Sequence, residues 1–213
     1  MCAEAHKTRT GQAFEIEFAT APVICERVHG GAAVDLIVAP VATLMEFINA
    51  GHIVEGSLKQ LGDIEAGVAV PNGTPSPDLS SVDTLRDALL AADRVIYNKA
   101  SSGQYIETMI ERLGIARQIS GKTIRTDNGA QTMQRLADDT SGYAIGFGQI
   151  TEIKLRQDLG IRLVGPLPAE IGKRTPYAVG IHQLGAKFAA AKSLLDFYGS
   201  GEAREILINS GLS

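Results

Sequence analysis

The chain has 213 residues, enough for one substantial domain or two small lobes and too few for a multidomain enzyme. Apolar residues make up 45% of the chain and charged residues 21%, a composition typical of a globular protein. Because 24 Asp and Glu outnumber 20 Lys and Arg, the formal net charge is −4, which argues against a nucleic-acid partner that needs a basic surface.

Few residue types in the chain are suited to stacking, to metal binding or to disulfide formation. There are five Tyr, six Phe and no Trp, so we expect that ligand stacking on aromatic faces is not the main binding device. The two Cys are too few for a disulfide framework, and the four His lie far apart without an HxxxH or HExxH pair. The sequence therefore predicts no metal site and no cofactor.

No segment of the sequence predicts insertion into a membrane. The first 12 residues, MCAEAHKTRTGQ, are polar and lack the apolar stretch of a signal peptide. The most apolar region, residues 32–48, is interrupted by Asp35, Pro40 and Glu46. We expect a periplasmic protein if a signal peptide precedes this start, and a cytoplasmic protein if Met1 is the true start.

Short runs rich in Val, Ile and Phe alternate with helical patterns, which predicts βα units and a largely parallel sheet. The first run, FEIEF, alternates with period two. In chain order the predicted strands are residues 14–18, 34–38, 64–70, 94–97, 122–126, 143–147, 162–164 and 177–181.

Helix boundaries are indicated by capping residues, Pro and Gly. Ser80 and Ser81 offer an N-cap, and Gly114 follows a helix with apolar residues on one stripe. Residues 71–77, PNGTPSP, predict a loop where the chain crosses between lobes. Helices are predicted at 187–198 and 202–208 to close the chain.

Small or hydroxylated residues recur where a predicted strand ends and a helix begins. Several helix N-termini that converge can hold an anion through their free N–H groups and the helix dipole, without Lys or Arg. The alternative, that these residues only cap their helices, stays open. The four turns are Thr20-Ala21-Pro22, Ala39-Pro40, Ala100-Ser101-Ser102-Gly103 and Asn128-Gly129-Ala130.

Catalytic motifs are not found in the sequence. There is no GxSxG, Walker A, GxGxxG or CxxC pattern, so we do not expect an enzyme. Lys99, which lies in one of the turns, is a candidate counter-charge for an anion, and the alternative is an ordinary surface lysine.

Three segments in order carry a resemblance to a known family. They are residues 67–115, which begin GVAVPNGTPSPD, residues 144–153, AIGFGQITEI, and residues 162–171, RLVGPLPAEI. In this combination the chain resembles the molybdate-binding-protein-like branch of the type 2 periplasmic solute-binding proteins of ABC transporters. The resemblance implies two α/β lobes, joined by a hinge of two crossing strands, that close on a ligand.

The resemblance also implies the lobe boundaries, the ligand class and the site residues. Lobe 1 would comprise residues 1–69 and 172–213, and lobe 2 residues 70–171. The ligand would be a small oxyanion of the molybdate or tungstate type, held in the interlobe cleft and passed to a transporter permease. Its contacts would fall on Ala19, Thr20, Ala39, Pro40, Ala100, Ser101, Ser102, Asn128, Gly129, Ala130 and Gln149.

Relatives begin with a strand and a hydroxyl-bearing turn before the helix that corresponds here to residues 3–10. We therefore expect lobe 1 to lack its first strand, with a truncated start or with strand exchange in a homo-oligomer that fills the position. Two alternatives to transport are a cytosolic ligand-sensing or regulatory domain of the same fold and a degenerate copy that no longer binds.

Overall fold

The computed structural model describes residues 2–184 and 188–213. The chain divides into two compact units, unit 1 (residues 1–63 and 175–213) and unit 2 (residues 64–174). It passes from unit 1 to unit 2 within strand β2 and returns at the start of strand β7. None of the helices in the described ranges has the length and apolar character that a membrane crossing requires.

Ten α-helices and seven strands are described in these ranges. The helices are α1 (Cys2–Thr10), α2 (Ala21–His29), α3 (Val41–Asn49), α4 (Val82–Ala91), α5 (Ser101–Arg112), α6 (Ala116–Ile119), α7 (Gly129–Ala137), α8 (Ile150–Leu155), α9 (Phe188–Tyr198) and α10 (Gly201–Asn209). The strands are β1 (Leu36–Pro40), β2 (Lys59–Pro71), β3 (Arg94–Asn98), β4 (Thr123–Thr126), β5 (Ala144–Gln149), β6 (Ile161–Pro166) and β7 (Arg174–Ile181).

The sheet of unit 2 has β3 at its centre, parallel to β4 on one side and to β5 on the other. The crossing strand β2 pairs antiparallel with β5 and with β6. Successive residues of β3 point to opposite faces, so Val95 joins the apolar cluster that contains Leu85 and Ile106, while Ile96 joins the cluster of Met133 and Leu136. Helices therefore cover both faces, as a sheet with a parallel centre requires.

Unit 1 is built around β1, which pairs antiparallel with β7. Ile37 of β1 packs in a cluster with Leu44 and Phe47 of α3 and Val28 of α2. A second cluster joins α1 to α9 and α10. Every antiparallel pair of strands described involves β2 or β7, the two strands that cross between the units. The predicted α/β class is confirmed.

The predicted helix boundaries follow from local chemistry that the structure contains. Ser81 caps α4, with its Oγ accepting from the Thr84 N–H and the Thr84 hydroxyl accepting from the Ser81 N–H. Gly114 has φ of 70° just after the end of α5, a conformation that glycine adopts without strain. The predicted start of the penultimate helix at Lys187 lies outside the described residues.

The strand predicted at residues 14–18 is wrong. Residues 11–20 form no regular secondary structure, and the side chains of Ile16 and Phe18 are 55% and 87% exposed. A period-two pattern makes a strand only where a neighbour accepts its hydrogen bonds, and β1 has its described partner in β7. Phe14 instead packs against the cluster of Cys2, Leu194 and Phe197.

The turn between β3 and α5 is tightly constrained. The buried side chain of Asn98 bonds Ser102 and Gly103: its Nδ2 donates to Ser102 Oγ at 3.1 Å, and its Oδ1 accepts from the Gly103 N–H at 3.2 Å. A Cβ on Gly103 would lie 1.7 Å from the backbone oxygen of Asn98. Only glycine fits at this position without moving the backbone of the turn.

Gly103→Ala is therefore expected to destabilise unit 2 by about 2 kcal/mol or more, because the added methyl meets backbone rather than a flexible side chain. Urea unfolding measures the change. Gly121→Ala is the control, since nothing lies within 4 Å of a Cβ there, and it should alter the free energy of unfolding by no more than about 0.5 kcal/mol. Equal stabilities of the two variants would contradict the argument.

His182, just after β7, is buried with its ring only partly satisfied. Its Nδ1 accepts from the Leu184 N–H at 3.2 Å, so the proton of the neutral ring is on Nε2, which has no partner among the described residues. The ring stacks on that of His52 at 6.0 Å. Burial, and next the charge of His52, lower the pKa of His182.

Because the pKa of His182 is lower in the folded chain than its unfolded value of about 6.5, the unfolded chain binds more protons in this range. The contribution of this residue to stability is therefore lost as the pH falls below about 6.5. We expect the melting temperature of the wild type to fall more between pH 7 and pH 5 than that of His182→Asn, whose Oδ1 can replace the Nδ1 acceptor. Parallel pH profiles for the two proteins would show that the folded chain protonates His182 freely.

Candidate ligand-binding site

Two of the four predicted ligand-binding turns, together with the predicted contact Gln149, lie at one edge of the unit 2 sheet. The strands β3, β4 and β5 are parallel neighbours, and the register pairs Asn98 with Thr126 and Ile96 with Gly146. Their carboxyl ends therefore share one edge, at which α5, α7 and α8 begin. In open α/β sheets this is the edge at which ligands bind.

The N-cap residue of α5 makes no side-chain capping hydrogen bond. Its N-cap residue is Ala100, which has no polar side chain, so the N–H groups of Ser101 and Ser102 are left for a ligand. The next N–H, that of Gly103, donates to Asn98 Oδ1. The Ser102 hydroxyl accepts a hydrogen bond from the Asn98 side chain, so the hydroxyl of Ser102 already has a structural role.

The N-terminus of α7 is capped through its own turn. Asn128 Oδ1 accepts from the Gln131 N–H at 2.9 Å, which uses the Asn128 side chain for capping. The Thr126 hydroxyl bonds the backbone oxygen of Asn128 and the hydroxyl of Thr132, which hold the turn in place. A ligand at this turn would therefore meet backbone groups of Gly129 and Ala130.

The cationic side chains near this edge, Lys99 and Arg125, are paired with acidic ones. Lys99 Nζ lies 3.2 Å from Asp127 Oδ1, and both side chains are largely exposed. Arg125 pairs with Glu107 and lies over the ring of Tyr97, 4.5 Å from its centroid. Since exposed ion pairs contribute little to stability, Lys99 can exchange Asp127 for another anion. The cations described at this edge leave no large positive charge there.

Gln149 and Glu152 form a capping box at the start of α8. The Glu152 carboxylate accepts from the Gln149 N–H at 3.4 Å. Burial raises the pKa of Glu152, and the Gln149 N–H and the charge of Arg156 act in the opposite direction. The same carboxylate lies against Gly129, where a Cβ would be 2.1 Å from Oε2.

Sequence reasoning missed Asn98 and Glu152 as site residues. A polar residue at the end of a buried strand was the available signal for Asn98, and the spacing Gln-x-x-Glu was the signal for Glu152. Neither signal shows that the two side chains bond to the turns that precede α5 and α8.

The predicted contacts in unit 1 come from two further helix starts. Thr20 is the N-cap residue of α2, but its side chain makes no capping hydrogen bond. Pro40 ends β1 and is the N-cap residue of α3, and the neighbouring Ala39 is buried in the apolar cluster of Leu44 and Phe47. The predicted site residues in this unit thus offer one hydroxyl, that of Thr20, together with backbone groups.

A groove of about 830 Å³ in unit 2 contains none of the predicted residues. It is lined by Glu65, Asp78, Glu170 and Arg174, among others, and Arg174 is already paired with Glu65 at 2.6 Å. With Lys173, the charged lining residues are three acids and two bases, so this groove offers no excess of positive charge to an anion. In the described ranges, no group of three or more His, Cys, Asp or Glu is arranged to hold a metal ion.

Comparisons with known proteins identify the family and the fold of the chain. The model of a family described as "Bacterial extracellular solute-binding protein" matches residues 1–213. A curated relative, "Aconitate isomerase" of a Pseudomonas species, is 26% identical over 219 residues, which span 99% of this chain and 80% of that protein.

Solved structures share the fold at low sequence identity. The periplasmic molybdate-binding protein of Azotobacter vinelandii superposes with a TM-score of 0.78 at 15% identity, covering 99% of this chain and 91% of that one. A structure of PEB3 bound to L-phospholactate gives a TM-score of 0.70 at 17% identity, covering 99% of this chain and 91% of that one. A structure of Peb3 from Campylobacter jejuni has the same fold. Since the family match spans the whole sequence, the chain belongs to the bacterial extracellular solute-binding proteins and has their type 2 periplasmic-binding-protein fold.

Proposed function

We propose that the protein binds a small oxyanion outside the cytoplasm and delivers it to the permease of an ABC transporter. The observation that carries this proposal is the sheet edge of unit 2, where the N-cap residue of α5 has no capping side chain and lies beside the backbone turn that opens α7. Both helices have nine residues or more, so their dipoles favour an anion near their first turns.

The proposed ligand is of the molybdate or tungstate type, and the structural neighbour from Azotobacter vinelandii supports it because that neighbour is a molybdate-binding protein. Neutral donors can hold such an anion without a matching cation, which fits an edge whose cations, Lys99 and Arg125, are already paired with acidic side chains. Units 1 and 2 are proposed as the two ligand-binding lobes. The eleven turn residues, with Lys99 as counter-charge, are proposed as the contacts.

A second candidate function is isomerisation of aconitate. It is favoured by the Pseudomonas relative, which matches 99% of this chain. No catalytic motif is present in the sequence, so binding without turnover is the first proposal. The two are separated by incubating the protein with cis-aconitate and following the trans isomer by chromatography, since a binding protein leaves the mixture unchanged.

The test of binding is a thermal-shift measurement with molybdate, tungstate, sulfate, phosphate and small carboxylates. A ligand that binds only the folded chain raises the melting temperature, and the rise grows with the logarithm of its concentration relative to its Kd. We expect at least one anion to raise it, and cations such as spermidine to leave it unchanged. If no anion shifts the transition, anion binding by this chain is refuted.

Ser101→Pro tests the role of α5 directly. Proline is accepted at the first position of a helix, and the extended backbone of Ala100 suits a residue before proline, so the variant should fold while losing one N–H donor. Losing a hydrogen bond to a charged ligand should weaken anion binding about tenfold or more in calorimetric titration.

Gly201→Pro is the matched control for Ser101→Pro. It places proline at the first position of α10, a helix of unit 1 with an extended N-cap residue and open space around Gly201. It should leave the affinity unchanged. Equal affinities of the two proline variants would exclude the α5 N-terminus from the site.

A further inference from the structure

The carboxyl group of Glu152 lies at the same sheet edge as the proposed anion-binding turns. It packs against Gly129, the first residue of α7, and bonds the N–H of Gln149 at the end of β5. It is also close to Gly148, where a Cβ would be 3.7 Å from Oε2. An acidic group thus lies beside the helix start that would receive an anion.

The surroundings of Glu152 do not neutralise it with a close cation. Among the described residues, the charged group that acts on it is Arg156, at the far end of α8, and no ion pair joins the two. The residues of β5, AIGFGQ, carry no charge. Lys99, in the turn before α5, is paired with Asp127, which lies in the loop before α7. On β6 the Arg162 guanidinium bonds Ser76 and Thr74.

A carboxyl group in this place has opposite effects on two kinds of anion. A fully ionised tetrahedral oxyanion presents only acceptor oxygens, so an ionised carboxylate repels it and forms no hydrogen bond with it. An anion that keeps an O–H group can donate to the carboxylate, and such a charge-assisted bond is about twice as strong as a neutral one. Discrimination by a buried hydrogen-bonding group can be large, because the wrong ligand leaves that group unpaired.

We propose that Glu152 is the specificity-determining residue of the anion site, and that it favours small anions bearing an O–H group, such as hydroxy acids or hydrogen phosphate, over fully ionised tetrahedral oxyanions. The inference rests on the proposed binding of an anion at this edge, and within that proposal it replaces the molybdate or tungstate type by anions that carry an O–H group. It also gives Glu152 a role beyond capping α8, because capping alone requires only a side-chain oxygen at that position.

Glu152→Gln separates the two roles. Glutamine at the third helical position also completes a capping box, so the variant should keep the fold and its melting temperature while losing the negative charge. Glu111→Gln is the matched control, since Glu111 lies exposed on α5 and the same charge is removed there.

The experiment is calorimetric titration near pH 7.5 with two pairs of probes. Hydrogen phosphate and sulfate are both tetrahedral, but only hydrogen phosphate carries a proton. Citrate and tricarballylate share a carbon skeleton, but only citrate carries a hydroxyl. The wild type and Glu111→Gln should prefer the O–H-bearing member of each pair that binds by about tenfold or more. Glu152→Gln should reduce that preference to about twofold or less, mainly by improving the binding of sulfate or tricarballylate.

The outcomes distinguish the inference from the function on which it rests. If the probes bind but the wild type shows no preference, or Glu152→Gln keeps the preference of the wild type, the role of Glu152 is overturned while anion binding stands. If none of the four probes and no molybdate binds to the wild type, the proposed function fails, and the inference fails with it.

Discussion

The parallel pairing of β3 with β4 and β5 is the constraint on which the rest of unit 2 depends. Parallel neighbours need a crossover after each strand, so α5 and α7 must begin at the edge where β3 and β4 end. The first N–H groups of those helices are therefore collected at one place by topology alone. A site built in this way can attract an anion although the chain has a net charge of −4.

Close packing at this edge requires small residues at defined positions. Gly103 lets the backbone of α5 approach the backbone oxygen of Asn98, and Gly129 leaves room for the carboxylate of Glu152. In return, the side chains of Asn98 and Glu152 satisfy backbone N–H groups at the starts of α5 and α8. The turns are thus fixed in part by hydrogen bonds from Asn98 and Glu152, residues that are not among the predicted ligand contacts.

Electrostatics at the edge are balanced rather than strongly positive. Lys99 and Arg125 each have an acidic partner, and Glu152 adds an acidic group whose pKa is raised by burial. Under these conditions selectivity depends on the hydrogen-bonding pattern of the ligand more than on its charge, because a surplus cation would accept any anion of suitable size.

The sequence by itself determined the α/β class, most element positions and the places where helices begin, because periodicity, capping residues and glycine act over a few neighbouring residues. Ser81, Gly114 and Asn128 are examples, each with a local hydrogen bond or conformation that explains its prediction. Whether a segment becomes a strand is decided by its neighbours, and FEIEF at 14–18 fails because no described strand pairs with it. Likewise only the tertiary structure brings Glu152 to Gly129, a contact 23 residues apart in sequence, because strand pairing rather than local chemistry sets which turns meet.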